Sequence, residues 1–277
     1  MARIRVRFAS LLALSAALTA LVAGCGNGGA GGTGGDSDTA SKDGTTARRG
    51  GQPVVVVTTA WEGAFAKAAG ARDVRVIVPQ SVHHAPDYDP KPSDLAAVGK
   101  ADFVLYAPFE PYAAKIKEAA GSKAELVEVD LDNDADKVKA EVARLGELFG
   151  TEETAAGWTA SFDAEYAKLS KEVQGSWPGG KSPAVVSQVF TVWSAKLAGA
   201  APVGTYGPEA VTPEQLAELS GKKPSLVLDN AHMTTGTVLP DSGARQIEIV
   251  NYPGTDLDLL PVYRNAAAEL KKAAGGS

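Results

Sequence analysis

The sequence holds three histidines, His83, His84 and His232, and a single cysteine, Cys25. His83 and His84 stand side by side in QSVHHAPDYDPKPSD (Gln80–Asp94), after an apolar run and before a loop dense in proline and aspartate. Asp87 and Asp89 follow the pair, and Asp229 and Asn230 precede His232. Neutral imidazole with carboxylate is the ligand set of a borderline divalent cation, zinc by preference, with manganese favoured as oxygens replace nitrogens. A lone histidine in a loop is more often a surface or hydrogen-bonded group, so a metal site requires a fold that gathers all three. Neighbours on extended chain point opposite ways. One of His83 and His84 would therefore face a ligand, and the choice between them stays open. The two prolines of the loop, Pro90 and Pro92, fix φ and push their predecessors into extended conformations, which stiffens the support.

The elements around these residues are read from periodicity. PVVVVTT, VRVIVPQ, ADFVLYAP and AELVEVD are strands, the first a continuous β-branched run of the kind buried on both faces in a parallel sheet. TAWEGAFAKAAG, with Thr59 and Glu62 in capping-box spacing, DLAAVGK after Ser93, and YAAKIKEAAG are helices between them. Asp134–Phe149 and Glu152–Val173 read as consecutive helices, the second carrying Ala155, Trp158, Phe162, Tyr166 and Leu169 on one face. After the break WPGGKSP a second alternation begins: strand AVVSQVF, helix TPEQLAEL, strand SLVLDN, a weak helix around Asp241 to Arg245, strand QIEIVNY, and a helix from Leu259 to Ala274. The expected fold class is α/β, with two lobes, each a mostly parallel sheet flanked by helices, joined by a long rigid helix. The lobes are expected at 53–149 and 183–277, with the connecting helix and linker at 150–182. Ligands of such sheets sit beyond the carboxyl ends of the strands. There the sequence places Thr58 and Thr59, the histidine pair with Asp87, then Glu110, Gln188, Asp229, Asn230 with His232, and Asn251 with Asp256.

The N-terminus sets the expected address. Arg3, Arg5 and Arg7 precede an apolar stretch, Phe8–Ala23, that is short for a membrane span of ~20 residues. It ends in LVAGC and resembles a bacterial lipoprotein signal at 1–24, with Cys25 acylated as the first mature residue. Residues 25–52, rich in Gly, Ser, Thr and Asp, cannot bury enough apolar surface to fold and read as a flexible tether. The protein is thus expected outside the cytoplasm, held to the cell membrane by its lipid. A net charge of −6 argues against nucleic acid as a partner.

VVVVTT, VHHAPDYDPKPSDLAAVGKADFVLYAPFEPYAAKI and TPEQLAEL…PSLVLDN resemble the metal-binding substrate-binding lipoproteins of bacterial ABC importers. The likeness spans most of Pro53 to Ala274, and its most specific part is Tyr88-Asp89-Pro90-Lys91-Pro92-Ser93-Asp94. It implies a monomeric receptor without catalytic cofactor that captures a divalent metal, zinc ahead of manganese, for a membrane permease. The sequence departs from the family at the ligands. His84 stands four residues before Tyr88 where the family histidine stands two before, DLDNDADKVKAEV offers only aspartates for a second, and Gln188 occupies the place of a third. The resemblance therefore implies a rearranged set: His83 or His84, His232 and Asp256 on the metal, with Glu110, Asp229, Asp87, Gln188 and Asn251 as further ligand-binding groups. Two other readings stand beside it. One keeps the fold and transport role with a metal chelate or small polar solute as ligand, and the other is a surface adhesin. No nucleophile elbow or zinc-hydrolase helix supports an enzyme.

Overall fold

Four consecutive valines, Val54–Val57, form strand β1, which in the computed structural model has a neighbour on each side. The structure describes residues 53–82, 85–234 and 236–275. Branched side chains pack well on a pleated surface covered on both faces, and Val55, Val56 and Val57 are buried. Thr59 caps helix α1 (Ala60–Ala68) in a capping box with Glu62. The chain continues through β2 (Asp73–Val76), α2 (Pro92–Val98), β3 (Phe103–Tyr106), α3 (Ala113–Ala120) and β4 (Glu125–Glu128). These strands are all parallel, in the order β2-β1-β3-β4.

Helices α4 (Ala135–Phe149) and α5 (Glu152–Ser176) follow. The second half holds β5 (Val185–Gln188), α6 (Val192–Leu197), β6 (Pro202–Tyr206), α7 (Pro213–Gly221), β7 (Leu226–Asn230), β8 (Arg245–Ile249) and α8 (Leu260–Ala274). Its parallel sheet, β6-β5-β7-β8, repeats the order of the first. The two-sheet α/β architecture is the expected one, with differences in detail. α6 and β6 are additional. β6 opens on Pro202 and contains Gly204, a composition that hides a strand in the sequence but suits a sheet edge, where a missing N–H breaks no ladder. The segment expected to be helical around Asp241 is a turn. Ser242 donates to Leu239 O and accepts from Ala244 N, and Arg245 already begins β8.

At ~1.5 Å per residue, the 25 residues of α5 run roughly 38 Å. Its expected face is the one used. Phe162 stacks on Trp158 at 4.9 Å and meets Tyr263 of α8 edge-on at 4.9 Å, while Trp193 of α6 meets Tyr263 at 5.1 Å. One continuous apolar cluster runs from Val55 and Phe103 through Phe162 and Leu169 to Val185, Leu228 and Ile249, and each sheet packs a smaller one on its other face. Against α4, Ala155 sits where Gly146 leaves room, and a Cβ at 146 would stand 2.6 Å from that of Ala155. Alanine at a helix interior normally gains about 1 kcal/mol over glycine. Here overpacking of about 1–3 kcal/mol outweighs the gain, so Gly146→Ala is expected to lower the urea midpoint rather than raise it.

Polar bonds tie the lobes as well. Asn133, in the β4–α4 loop, accepts from Trp61 Nε1 (2.9 Å) and donates from Nδ2 to Asn251 O (3.0 Å), just past β8. Trp193 Nε1 donates to Asn251 Oδ1 (2.9 Å) and Tyr263 OH to Asn133 O (2.9 Å). On the surface Lys196 Nζ pairs with Asp134 (2.9 Å) and Asp136 (2.8 Å). That ammonium holds Asp136 below the usual carboxylate range and, overcoming partial burial, Asp134 also.

Candidate functional site

In each sheet the chain passes from the first strand to a neighbour on one side and then returns to the other. This makes a switch point at the carboxyl ends of β1 and β3, and another at those of β5 and β7, where parallel sheets receive ligands. Glu62 (third residue of α1) and Glu110 (after β3) lie at the first. Gln188, Asn230 and His232 lie at the second.

The two switch points face one cleft. A hollow of about 290 Å³ is walled by Trp61, Phe109 and Glu110 of the first lobe and by Phe190, Asn230 and His232 of the second. A smaller hollow of about 160 Å³ adjoins it, lined by Thr59, Gln80, Val82 and Pro253. Ala85, His232 and Tyr252 line both. Gln80 Nε2 donates to Pro253 O across the lobes at 3.0 Å.

The electrostatics centre on two carboxylates. Glu62 is fully buried, its Oε1 accepting from Thr58 Oγ1 (2.9 Å) and its Oε2 from the Thr59 amide (3.0 Å) and hydroxyl. Burial raises its pKa in spite of these donors. Glu110, 5% exposed, accepts from the Ala107 amide (3.2 Å) and from Tyr112 OH (3.0 Å). Desolvation, reinforced by the charge of Glu62, pushes its pKa up to about 8. Among the described residues neither forms an ion pair with lysine or arginine. Two acids this close cannot both ionise at low cost unless a proton or another cation joins them. The phenol of Tyr252 is also pushed up, first by burial and then by both glutamates.

His232 is half-buried, its amide donating to Asn230 Oδ1 (3.0 Å) and its ring set edge-on to Tyr252 at 4.7 Å. The loop from Tyr88 to Asp94 is closed by its own polar bonds. Tyr88 OH donates to Asp94 Oδ2 (2.7 Å), and the same oxygen accepts from the Lys91 amide (3.0 Å). Burial and this carboxylate push the Tyr88 phenol up to about 12. Val82 and Ala85, which bracket His83 and His84, line the smaller hollow. His83, His84 and the lipidation candidate Cys25 lie outside the described residues.

The remaining candidates divide. Glu110 lines the cleft with His232. Gln188 and Asn251 are buried, Gln188 Oε1 accepting from the Phe190 amide (2.6 Å) and Asn251 Oδ1 from Trp193, while the –NH₂ of each has no hydrogen-bond partner among the described residues. Asp229 is engaged on the other side of its sheet, accepting from Tyr206 OH (2.6 Å) and Gln246 Nε2 (3.2 Å). Asp87 is exposed in a short 3₁₀ turn. Asp256, expected beside His232, stands elsewhere. The chain turns away after β8 so that Leu257 can pack on α1 at Gly63, and Asp256 lines a surface hollow with Lys67 and Thr154. Among the described residues, no three of His, Cys, Asp and Glu are grouped to hold a metal. Sequence reasoning passed over Glu62, read only as a capping partner, and Asn133. The signal for the first was in Thr58-Thr59-x-x-Glu62, which directs two hydroxyls onto one acid.

No family model and no curated sequence matches the chain. Solved structures do. Zinc-bound ZnuA, as a deletion mutant, is 17% identical with a TM-score of 0.61, covering 81% of this chain and 98% of its own. The substrate-binding protein FpvC of P. aeruginosa, in complex with Ni²⁺, is 13% identical with a TM-score of 0.63, covering 81% and 97%. The laminin-binding protein Lmb of Streptococcus agalactiae, described as bifunctional with adhesin and metal transporting activity, is 17% identical with a TM-score of 0.58, covering 81% and 99%. At this identity the likeness is one of fold, and it is the fold that the motifs resemble: the chain is a divergent sequence on the two-lobe scaffold of metal-binding substrate-binding proteins.

Proposed function

We propose that this protein is the capture component of an importer for a divalent metal, zinc ahead of manganese. It would hold the ion in the interlobe cleft and pass it to an ABC permease while tethered through lipid on Cys25. The observation that carries the reading is the pair of buried acids, Glu62 and Glu110, beside a cleft that both lobes build and that His232 enters. Glu110, His232 and one of His83 and His84 are the assigned ligands, with Glu62 supplying field from behind. Buried carboxylates without a basic partner favour a cation over an anionic or neutral solute.

The test is metal content of protein purified without chelator, followed by melting with zinc, manganese or EDTA. Zinc at about 1,000 times its Kd should add roughly 4 kcal/mol of stability. The His83→Ala/His84→Ala double variant and His232→Ala should each lose that rise. A full rise retained in both variants overturns the ligand assignment, and no rise with any divalent ion overturns the metal reading.

A further inference from the structure

We infer that the cation enters this cleft as a chelate, carried by a neutral organic ligand with a flat apolar body that Phe109 and Phe190 grip from opposite lobes. The inference rests on the metal-capture reading and names the form in which the metal arrives.

The hollow is larger than a bare ion requires. A water molecule's share of liquid volume is about 30 Å³, so the 290 Å³ hollow has room for roughly ten. An ion held directly by side chains needs a small fraction of that volume. Its walls are mostly apolar. Glu110, Asn230 and His232 supply the polar groups, while Trp61, Phe109, Leu131, Phe190, Met233 and Tyr252 make much of the remaining wall apolar. Few polar groups on an otherwise aromatic and aliphatic wall are the mark of a site for an organic molecule. A bare or hydrated ion gains nothing from such walls. Phe109 is 63% exposed although it lines the hollow, an aromatic surface left for something to cover.

Charge narrows the class. A net anionic complex brings Glu62 and Glu110 no positive charge to ionise against, whereas a neutral nitrogen-donor chelator leaves the complex cationic and able to supply it. Borderline divalent ions accept such donors. A bidentate chelator leaves coordination positions on the metal for His232 and Glu110.

The experiment is titration calorimetry on the metal-stripped full chain with four probes: Zn²⁺ alone, the 1:1 complex of Zn²⁺ with 2,2′-bipyridine, bipyridine alone, and zinc nitrilotriacetate, a polar anionic chelate. The bipyridine complex should bind at least tenfold more tightly than Zn²⁺, and the nitrilotriacetate complex more weakly than either. Phe109→Ala and Phe190→Ala, each checked by melting for a folded state, should cut the preference for the bipyridine complex over Zn²⁺ about tenfold. If Zn²⁺ alone binds as tightly as the complex, or if both variants keep the full preference, the chelate inference falls and metal capture stands. If bipyridine alone binds as tightly as its complex, or if no zinc species binds, the metal reading falls and takes the inference with it.

Discussion

Glu110→Gln is expected to stabilise the metal-free protein at about pH 8.5 and to remove the further stabilisation that zinc brings. The first half follows from linkage. The Glu110 carboxyl has a pKa of about 8 in the folded protein against 4.5 for the free side chain, because burial and the charge of Glu62 disfavour ionisation. Between these values the folded state holds a proton that the unfolded state has released, so stability falls as pH rises through that window. Below about pH 4.5 the carboxyl is protonated in both states and the penalty vanishes. Above about pH 8 it is fully present. At 1.36 kcal/mol per unit, reduced for water that enters the cleft, the penalty is about 3 kcal/mol. Glutamine has the same shape and no charge, and its amide oxygen can still accept from Ala107 N. Urea melts of both proteins in EDTA at about pH 4.5 and pH 8.5 check this: near coincidence at the lower pH, the variant more stable at the higher. A variant less stable at pH 8.5 would mean that the carboxylate already has a positive partner. Adding zinc reverses the ranking, because the ion satisfies the wild-type charge and finds no anion in the variant. That reversal separates a cation ligand from an ordinary buried acid, which would respond to pH and not to metal.

Much of the scaffold was legible because its signals are local. Four valines in a row, the Thr59–Glu62 and Thr212–Gln215 capping boxes, and an apolar face on Glu152–Val173 each specify an element without reference to the rest of the chain. β6 escaped because Pro202 and Gly204 speak against a strand unless it is known to lie at an edge. The site was harder to read, since its chemistry comes from residues with local excuses. Glu62 caps a helix and only through the fold of β1 against β3 acquires Glu110 as a like-charged neighbour. Asp256 had the right type at the right distance in sequence, but the packing of Leu257 under α1 decides where its carboxylate goes. Asp229 and Asn230 are adjacent, so the strand's alternation sends Asp229 to Tyr206 while Asn230 and the following loop carry the chain to the cleft. Strand ends predict which residues are near a cleft, not which side chains enter it.

Asn133→Leu is expected to destabilise the protein by about 3–5 kcal/mol. Asn133 is 1% exposed and joins the halves by its side chain, accepting from Trp61 Nε1 and donating to Asn251 O. Leucine is close in volume, so the loss is one of hydrogen bonds rather than of packing. It leaves an indole N–H and a carbonyl buried without partners, at roughly 1–3 kcal/mol each. Asn133→Asp should cost less in the bonds themselves, since it keeps an acceptor for Trp61. It buries a new acid at a site that is 1% exposed, however, and its deficit should widen as pH rises. Guanidinium melts of the two variants at about pH 5 and pH 8 separate these contributions. A cost under about 1 kcal/mol for leucine would show that water replaces the amide and that the lobes are held by apolar packing alone. The tie also bears on capture. Asn133 and Asn251 link the lobes by a hydrogen bond outside the hollow, and the apolar core that α5 carries runs through both, so these contacts hold the walls of the cleft in place. A preformed cleft loses little conformational freedom on binding. Loosening it at Asn133 should therefore weaken zinc binding by more than the direct loss of any contact to the metal, since Asn133 is not among the residues that line the hollow. Calorimetry on Asn133→Leu under conditions where it remains fully folded would show a weaker Kd with a less favourable entropy, whereas an unchanged Kd would place the whole effect in stability.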